Sequence, residues 1–290
     1  MKKLNIVGAG KLGQTLAYLF NKHNQFEIGD IVNRSLSSAE KAQQFIGTGR
    51  ATKGLSETTS ADIWLIATAD GEIANAAAEI YKLEHFNGHE IIFHCSGSLA
   101  SDILSTDKQP THAASVHPIH SFASPQRSVE SFSGSHCAYE GSNLALTILL
   151  PAFESIGAQL LAVDGTQKSV YHAASVMACN YLVALMDASL RCFELAGIER
   201  EQAQQLLLPI THATLDNTLK HSPESALTGP IARGDIETVR QQIEQLAQHP
   251  QLAAIYQQLG LQALDVATRQ SPQKYRQELA QLLQPGDKPV

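Results

Sequence analysis

The hexad Gly8-Ala9-Gly10-Lys11-Leu12-Gly13 follows the apolar run Leu4–Val7 directly and opens an amphipathic stretch, Lys11–Lys22. Glycines at the first, third and sixth positions of a strand-to-helix turn serve three separate purposes. Gly8 permits the tight turn, Gly10 keeps the backbone bare so that a pyrophosphate can approach, and Gly13 lets the helix pack closely on the strand. The free N–H groups and positive dipole end of that helix then meet the phosphates. The hexad therefore predicts a dinucleotide site along Gly8 to Gly13, with an ordinary strand–helix turn as the alternative.

Which dinucleotide is tested at the end of the second strand, where an acidic side chain binds a ribose 2′-hydroxyl and a basic one accommodates a 2′-phosphate. The sequence there is Val32-Asn33-Arg34-Ser35. Arg34 pairs with a dianion and Ser35 can donate to it, so the expected cofactor is NADP(H), with Asn33 beside them. Asp30, earlier in the same strand, argues the other way. Two further loops, at Ala67-Thr68 and Ser96-Gly97, follow strands and are expected to border the nicotinamide ribose, because ligands of open α/β sheets lie beyond the carboxyl ends of the strands.

Ser115-Val116-His117-Pro118-Ile119-His120-Ser121 places two imidazoles just past another strand. Without a thiolate or carboxylate at ligand spacing a metal site is not expected, and no metal is assigned. His117 and His120 are candidates for substrate contact, with loop hydrogen bonding as the structural reading. Lys168, His172, Val176 and Asn180 recur every four residues on one helical face. Polar groups on an apolar helix need partners or a cleft. Lys168 or His172 is expected to protonate a substrate carbonyl and Asn180 to orient it. In Leu227-Thr228-Gly229-Pro230-Ile231-Ala232-Arg233-Gly234-Asp235, Thr228 and Arg233 are candidates for holding an anionic substrate, Arg being suited to a carboxylate; a plain loop with Asp235 capping the next helix reads equally well.

These residues need a scaffold, and short apolar runs alternate with helical patterns up to about residue 165, the signature of parallel strands joined by crossover helices. Expected strands are Leu4–Val7, Phe26–Val32, Ile63–Ala67, Ile91–His94, Thr111–Val116, Cys137–Tyr139 and Leu160–Val163, with helices at Lys11–Lys22, Ser37–Phe45, Gly71–Tyr81 and Asn143–Ile156. Ser37 or Ser38 is the expected cap of the second helix. Beyond Thr166 the strands vanish. One helix over Gln167–Ala196, ended by Gly197, is followed by Glu199–Leu219, Ile236–Gln248, Pro250–Thr268 and Ser271–Leu283, and the tail Pro285–Val290 is expected to be loose. Two domains result: residues 1–165, dinucleotide-binding, and residues 166–290, all-helical.

Composition agrees with a globular chain: 43% hydrophobic and 17% charged residues over 290. A formal charge of −7, with no Lys/Arg block, offers no footprint for nucleic acid. No window of about 18 unbroken apolar residues suggests a membrane partner. Four scattered cysteines with no paired spacing fit a reducing, cytoplasmic setting.

Taken together, the glycine loop, the His117-Pro118 segment, Tyr171-His172-Ala173-Ala174 to Asn180-Tyr181, and Leu227 to Asp235 resemble a bacterial oxidoreductase family that joins a Rossmann-like domain to the helical domain of unknown function 2520. That family is similar to ketopantoate reductases, pyrroline-5-carboxylate reductases, 3-hydroxyacid dehydrogenases and deazaflavin-dependent NADP oxidoreductases. The resemblance implies a mostly parallel Rossmann sheet followed by an all-α domain of the 6-phosphogluconate-dehydrogenase kind, NADP(H) binding, and a homodimer formed through the helical domain. It also implies that Lys168 matches the general-acid lysine of the hydroxyacid dehydrogenases. Those enzymes carry an Asn one turn later, where this chain has His172, and an Asn comes only at Asn180. The expected activity is NADP(H)-dependent reduction of a small carbonyl or imine, such as a 2-ketoacid of the ketopantoate type; a non-catalytic NADP(H)-binding sensor is the alternative.

Overall fold

The computed structural model describes residues 1–105, 112–270 and 276–284. Eight strands make one sheet: β1 (Lys2–Val7), β2 (Phe26–Val32), β3 (Arg50–Thr52), β4 (Ile63–Ile66), β5 (Ile91–His94), β6 (His112–Pro118), β7 (His136–Gly141) and β8 (Gln159–Ala162). Their order is β3-β2-β1-β4-β5-β6-β7-β8. Neighbours from β3 to β6 are parallel; β7 runs antiparallel to β6, and β8 parallel to β7. The order runs outward from β1 in one direction and from β4 in the other, so a crevice opens past their carboxyl ends.

Central strands are buried on both faces because side chains alternate across the pleat. Leu4, Ile6, Leu65 and Phe93 face one core, with Leu16 and Phe20 from α1 (Lys11–Lys22), Ala39 and Ile46 from α2 (Leu36–Ile46) and Phe153 packed into it. Val7, Trp64, Ile66 and Ile92 face the other, covered by Ile73, Ala77 and Ile80 of α3 (Ile73–Ile80). Two more helices, α4 (Pro125–Ser131) and α5 (Asn143–Ser155), complete the layer elements.

The differences from the sequence pattern are local. Strand β3 is three residues, too short to show a period, and α4 is a single capped unit with Ser124 accepting from the Arg127 N–H. The cap of α2 is Ser35 rather than Ser37 or Ser38: its hydroxyl accepts from the Ser38 N–H. Thr111, residues 271–275 and the tail 285–290 lie outside the described residues.

The chain forms two compact units, Met1–Cys179 and Asn180–Val290. Their boundary falls inside the long helix α6 (Lys168–Leu195), whose first three turns go with the sheet. The second unit is helical throughout its described residues: the rest of α6, then α7 (Arg200–Lys220), α8 (Pro223–Ala226), α9 (Pro230–Arg233), α10 (Ile236–Leu246), α11 (Pro250–Gln270) and α12 (Arg276–Leu283). Val239, Leu264, Leu279 and Leu283 form its core.

Candidate functional site

A cleft of about 1000 Å³ lies past β1, β2 and β4, lined by Gly8, Ala9, Gly10 and Lys11, by Asn33, Arg34, Ser38 and Lys41, and by Ala67, Thr68 and Ala69. The three glycines act there as their spacing requires. Gly8 sits at φ 90°, and a Cβ on it would lie 2.8 Å from the Ala67 and Thr68 backbone. A Cβ on Gly13 would meet the Gly8 carbonyl at 2.8 Å, so α1 rests directly on the turn. Gly10 faces open space. The first turn of α1 holds no acidic residue and its cap has no side-chain acceptor. Its N–H groups, with no intrahelical partner, are therefore free for an anion. A dinucleotide pyrophosphate fits that cradle.

At the end of β2 the sequence-level conflict resolves on geometry. Asp30 is buried; its carboxylate accepts from Arg50 Nε at 2.7 Å and from the Thr59 N–H and hydroxyl at 2.7 and 2.9 Å. Those bonds, led by the Arg50 guanidinium, outweigh burial and hold its pKa below the usual value. A carboxylate so occupied is withdrawn from the cleft. Arg34 is exposed on the cleft wall, and Ser38 and Lys41, one turn into α2, line it too. Sequence reasoning missed Lys41, which lies midway along α2 and lines the cleft from there. Asn33 bridges from its Nδ2 to the Ser38 carbonyl at 3.0 Å and the Ala9 carbonyl at 3.4 Å, tying α2 to the glycine loop. The Ser35 hydroxyl is engaged in capping α2.

A second polar cluster lies past β5 and β6 in the same unit. The carboxylate of Asp70 accepts from the Ser96 and Ser98 hydroxyls at 2.8 and 2.9 Å, binding the loop after β4 to the loop after β5. Within that loop Gly97 carries no side chain for a clear reason: a Cβ would fall 2.3 Å from His172 Nδ1 and 2.9 Å from His117 Nε2. The two imidazoles are 5.5 Å apart at 81°, and the Nδ1 of His117 is 3.0 Å from the Tyr171 hydroxyl. His172 Nδ1 is buried without a hydrogen-bond partner. Burial first, then the positive potential of His172 and Lys168, pushes His117 down to about 4.

His94, beneath them, is fixed between the Ser96 N–H, which donates to its Nδ1 at 3.1 Å, and the Ala100 carbonyl, which takes its Nε2–H at 3.2 Å. Desolvation pushes it to about 4 as well. Lys168 is only 1% exposed, and its ammonium donates to the Ser96 carbonyl at 3.0 Å and to the Ser115 hydroxyl, with Glu140 3.8 Å away. Burial lowers its pKa, opposed by the Glu140 carboxylate. The lysine expected to meet substrate is enclosed, held between the loop after β5, Ser115 within β6 and Glu140 near the end of β7.

The structure thus brings together Ser96, Gly97, His117, Lys168 and His172, and adds Tyr171, which sequence reasoning named only inside a motif. His120 is elsewhere: its Nδ1 is 3.0 Å from the Ser135 hydroxyl and its ring packs on Phe122 and Phe132, the structural reading. Asn180 is exposed and lies in the second unit, as do the exposed Thr228 and Arg233. Asp235 caps α10, accepting from the Thr238 N–H at 3.2 Å. Among the described residues no three His, Cys, Asp or Glu side chains gather as a metal site.

The Rossmann-like domain family matches residues 2–118, and the family called domain of unknown function, DUF2520, matches residues 135–263. The chain joins a Rossmann-like domain to a DUF2520 domain. Among solved structures this Rossmann–DUF2520 protein is similar to protein TM1727 from Thermotoga maritima, at 26% identity and TM-score 0.70, over 92% of this chain and 99% of that one. It is similar to a Bacteroides fragilis protein assigned as an NADP oxidoreductase, at 21% identity and TM-score 0.77, over 91% and 98%. A reductive aminase from Aspergillus terreus, crystallised with NADPH and ethyl-5-oxohexanoate, matches at 16% identity and TM-score 0.64, over 97% and 98%. Below a quarter identity these likenesses show the fold. No curated protein matches the chain in sequence.

Proposed function

We propose that the Rossmann–DUF2520 chain is an NADP(H)-dependent oxidoreductase that reduces a small carbonyl or imine compound, with 2-ketoacids as first candidates. The observation that carries this reading is the pair of cations, Arg34 and Lys41, on the wall of a glycine-loop cleft from which the nearby carboxylate of Asp30 is withdrawn. Pyrophosphate would lie over Gly8 to Gly13, and the 2′-phosphate would meet Arg34, Lys41 and Ser38. Thr68 and Ala67 would flank the ribose, with Ser96 and Gly97 next beyond. A bound NADPH supplies the hydride; the polar cluster of His117, Tyr171 and His172 supplies a proton and orients the acceptor. A cytoplasmic homodimer is the proposed working form.

The test is titration with NADPH and NADH, followed by NADPH oxidation against a panel of small ketoacids, imines and deazaflavins. Arg34→Ala and Lys41→Ala should each weaken NADPH binding roughly 10-fold or more, since a hydrogen bond to a charged group contributes about 1.5–3 kcal/mol, and leave NADH affinity nearly unchanged. Equal affinity of wild type for the two cofactors would remove the NADP(H) assignment, and tight binding without turnover across the panel would remove the reductase.

A further inference from the structure

Three facts about the cluster fit together. Lys168 opens α6, and its buried ammonium is engaged by the Ser96 carbonyl and the Ser115 hydroxyl, with the Glu140 carboxylate 3.8 Å off. Glu140 is in turn held by the Ser101 N–H and hydroxyl at 2.8 and 2.7 Å. An ammonium has three N–H groups; two are hydrogen-bonded here, Glu140 stands at ion-pair distance, and at 1% exposure the group has no route to solvent for recharging. One turn on, Tyr171 is half-buried with its hydroxyl 3.0 Å from His117 Nδ1.

His117 is the key to what that hydroxyl can do. Facing it are His172 and Lys168 from α6, Asp70 from the loop after β4, and His94 from β5, and the balance keeps it neutral. A neutral imidazole has one N–H. Nε2 lies beside the space that Gly97 leaves bare, where a Cβ would come within 2.9 Å. With its proton on Nδ1 the imidazole donates to the Tyr171 oxygen 3.0 Å away, which leaves the tyrosine hydrogen free to point at a ligand.

We propose that Tyr171 is the proton-donating residue of this site, backed by His117, and that Lys168 is a positioning residue that pins the first turn of α6 and exchanges no proton with substrate. The proposal rests on the reductase reading above. When hydride reaches a carbonyl carbon, the π pair moves onto oxygen; the Tyr171 O–H bond breaks and its proton forms the alcohol O–H. The phenolate left behind accepts the His117 Nδ1–H until water reprotonates it. The carbonyl gains the two electrons of the hydride, the nicotinamide loses them, and the proton comes from solvent through Tyr171. Burial raises the Tyr171 pKa to about 12, so the phenol keeps its proton near neutrality and yields it to an alkoxide.

The test uses the full chain with Tyr171→Phe and Lys168→Met, and two readouts beyond turnover. Nitrogen NMR of the histidines in cofactor-free protein should find His117 protonated on Nδ1 in wild type, and in Lys168→Met its signal should shift as the tyrosine contact loosens. NADPH titration should give Kd values within about 3-fold of wild type for both variants. Tyr171→Phe, which keeps the ring and leaves the anchor untouched, should lower kcat on the order of 100-fold, the usual scale of general acid catalysis, and should abolish the solvent isotope effect on proton transfer. Full turnover in Tyr171→Phe, or His117 protonated on Nε2, overturns the proposal. So does a Lys168→Met protein that loses turnover while its His117 and Tyr171 signals are unchanged, because Lys168 would then be the donor. Failure of the reductase reading shows differently: wild type itself turns over no compound of the panel, and the proton-donor role falls with it.

Discussion

His94 and His117 are two imidazoles held neutral by burial, and that has a sign in stability. Both ordinarily titrate at 6.5 and are pushed to about 4 in the folded chain. Between those values the unfolded chain binds protons that the folded chain refuses, so unfolding is favoured as pH falls. The stability is complete above about pH 6.5 and is lost on the way down to about pH 4, by at most about 3 kcal/mol for each histidine. The urea midpoint should accordingly hold steady from pH 8 to 7 and drop steeply from pH 6.5 to 4.5. A midpoint flat across that lower window would mean the two rings are not buried as described. His117→Gln should remove part of the drop, because a glutamine has no proton to gain on unfolding.

Elements set what single residues can do, and the turn from β1 to α1 separates two glycines cleanly. Gly8 has a left-handed φ of 90° and backbone at 2.8 Å from any Cβ, so Gly8→Ala strains the turn and should destabilise the fold by about 1–3 kcal/mol. Gly10 has φ −74° and empty space around it. Gly10→Ala should leave the thermal midpoint of the cofactor-free protein unchanged within a degree or two, yet weaken NADPH binding at least 10-fold, since the methyl occupies the place of the pyrophosphate. A Gly10→Ala protein that binds NADPH normally would take the phosphates away from this turn. The same strand carries a second device: the pairing of β1 with β2 shifts register between Leu4 and Ile6, and the Asn5 side chain accepts the Asp30 N–H at 2.7 Å and donates to the Thr59 carbonyl at 2.8 Å. Asp30 is thus part of the knot that joins β1, β2 and β3. Asp30→Ala should cost about 1–3 kcal/mol in urea denaturation by leaving the Thr59 donors without their acceptor and leave the preference between NADPH and NADH where it was. A switch in that preference would return Asp30 to the cofactor.

At the scale of the whole molecule, the sequence was most legible where periodicity and spacing are local. Helix Lys11–Lys22, strand Phe26–Val32 and the division into a sheet part and a helical part all follow from pattern, because burial on one or both faces writes a period into the chain. Less legible was anything decided by a partner distant in sequence. Asp30 argues against NADP(H) until Arg50 and Thr59 are seen on it, and Lys168 reads as one of two candidate proton donors until Ser96 and Ser115 are seen to enclose it. Tyr171 gains meaning only from His117, 54 residues earlier. The same limit applies to what the helices present outward. Of the most apolar 18-residue window in Gly165–Leu195, only 11% is buried. Val183 of α6 is 71% exposed, and Leu208, Ile210 and Leu219 of α7 are 62, 63 and 82% exposed. So much apolar surface marks a contact, in water or in lipid. The buried polar anchor at the start of α6 and the Asp187 and Arg200 ion pair at 2.7 Å beside its far end favour an aqueous contact, and a second copy of the chain presents the same apolar faces. Sedimentation should therefore give a mass near twice 31.3 kDa at micromolar concentration. Leu208→Glu with Ile210→Glu should return it to one chain without unfolding the sheet. A monomer in wild type that instead partitions onto lipid vesicles would assign these faces to a membrane, and a monomer in solution that leaves vesicles alone would refute both partners.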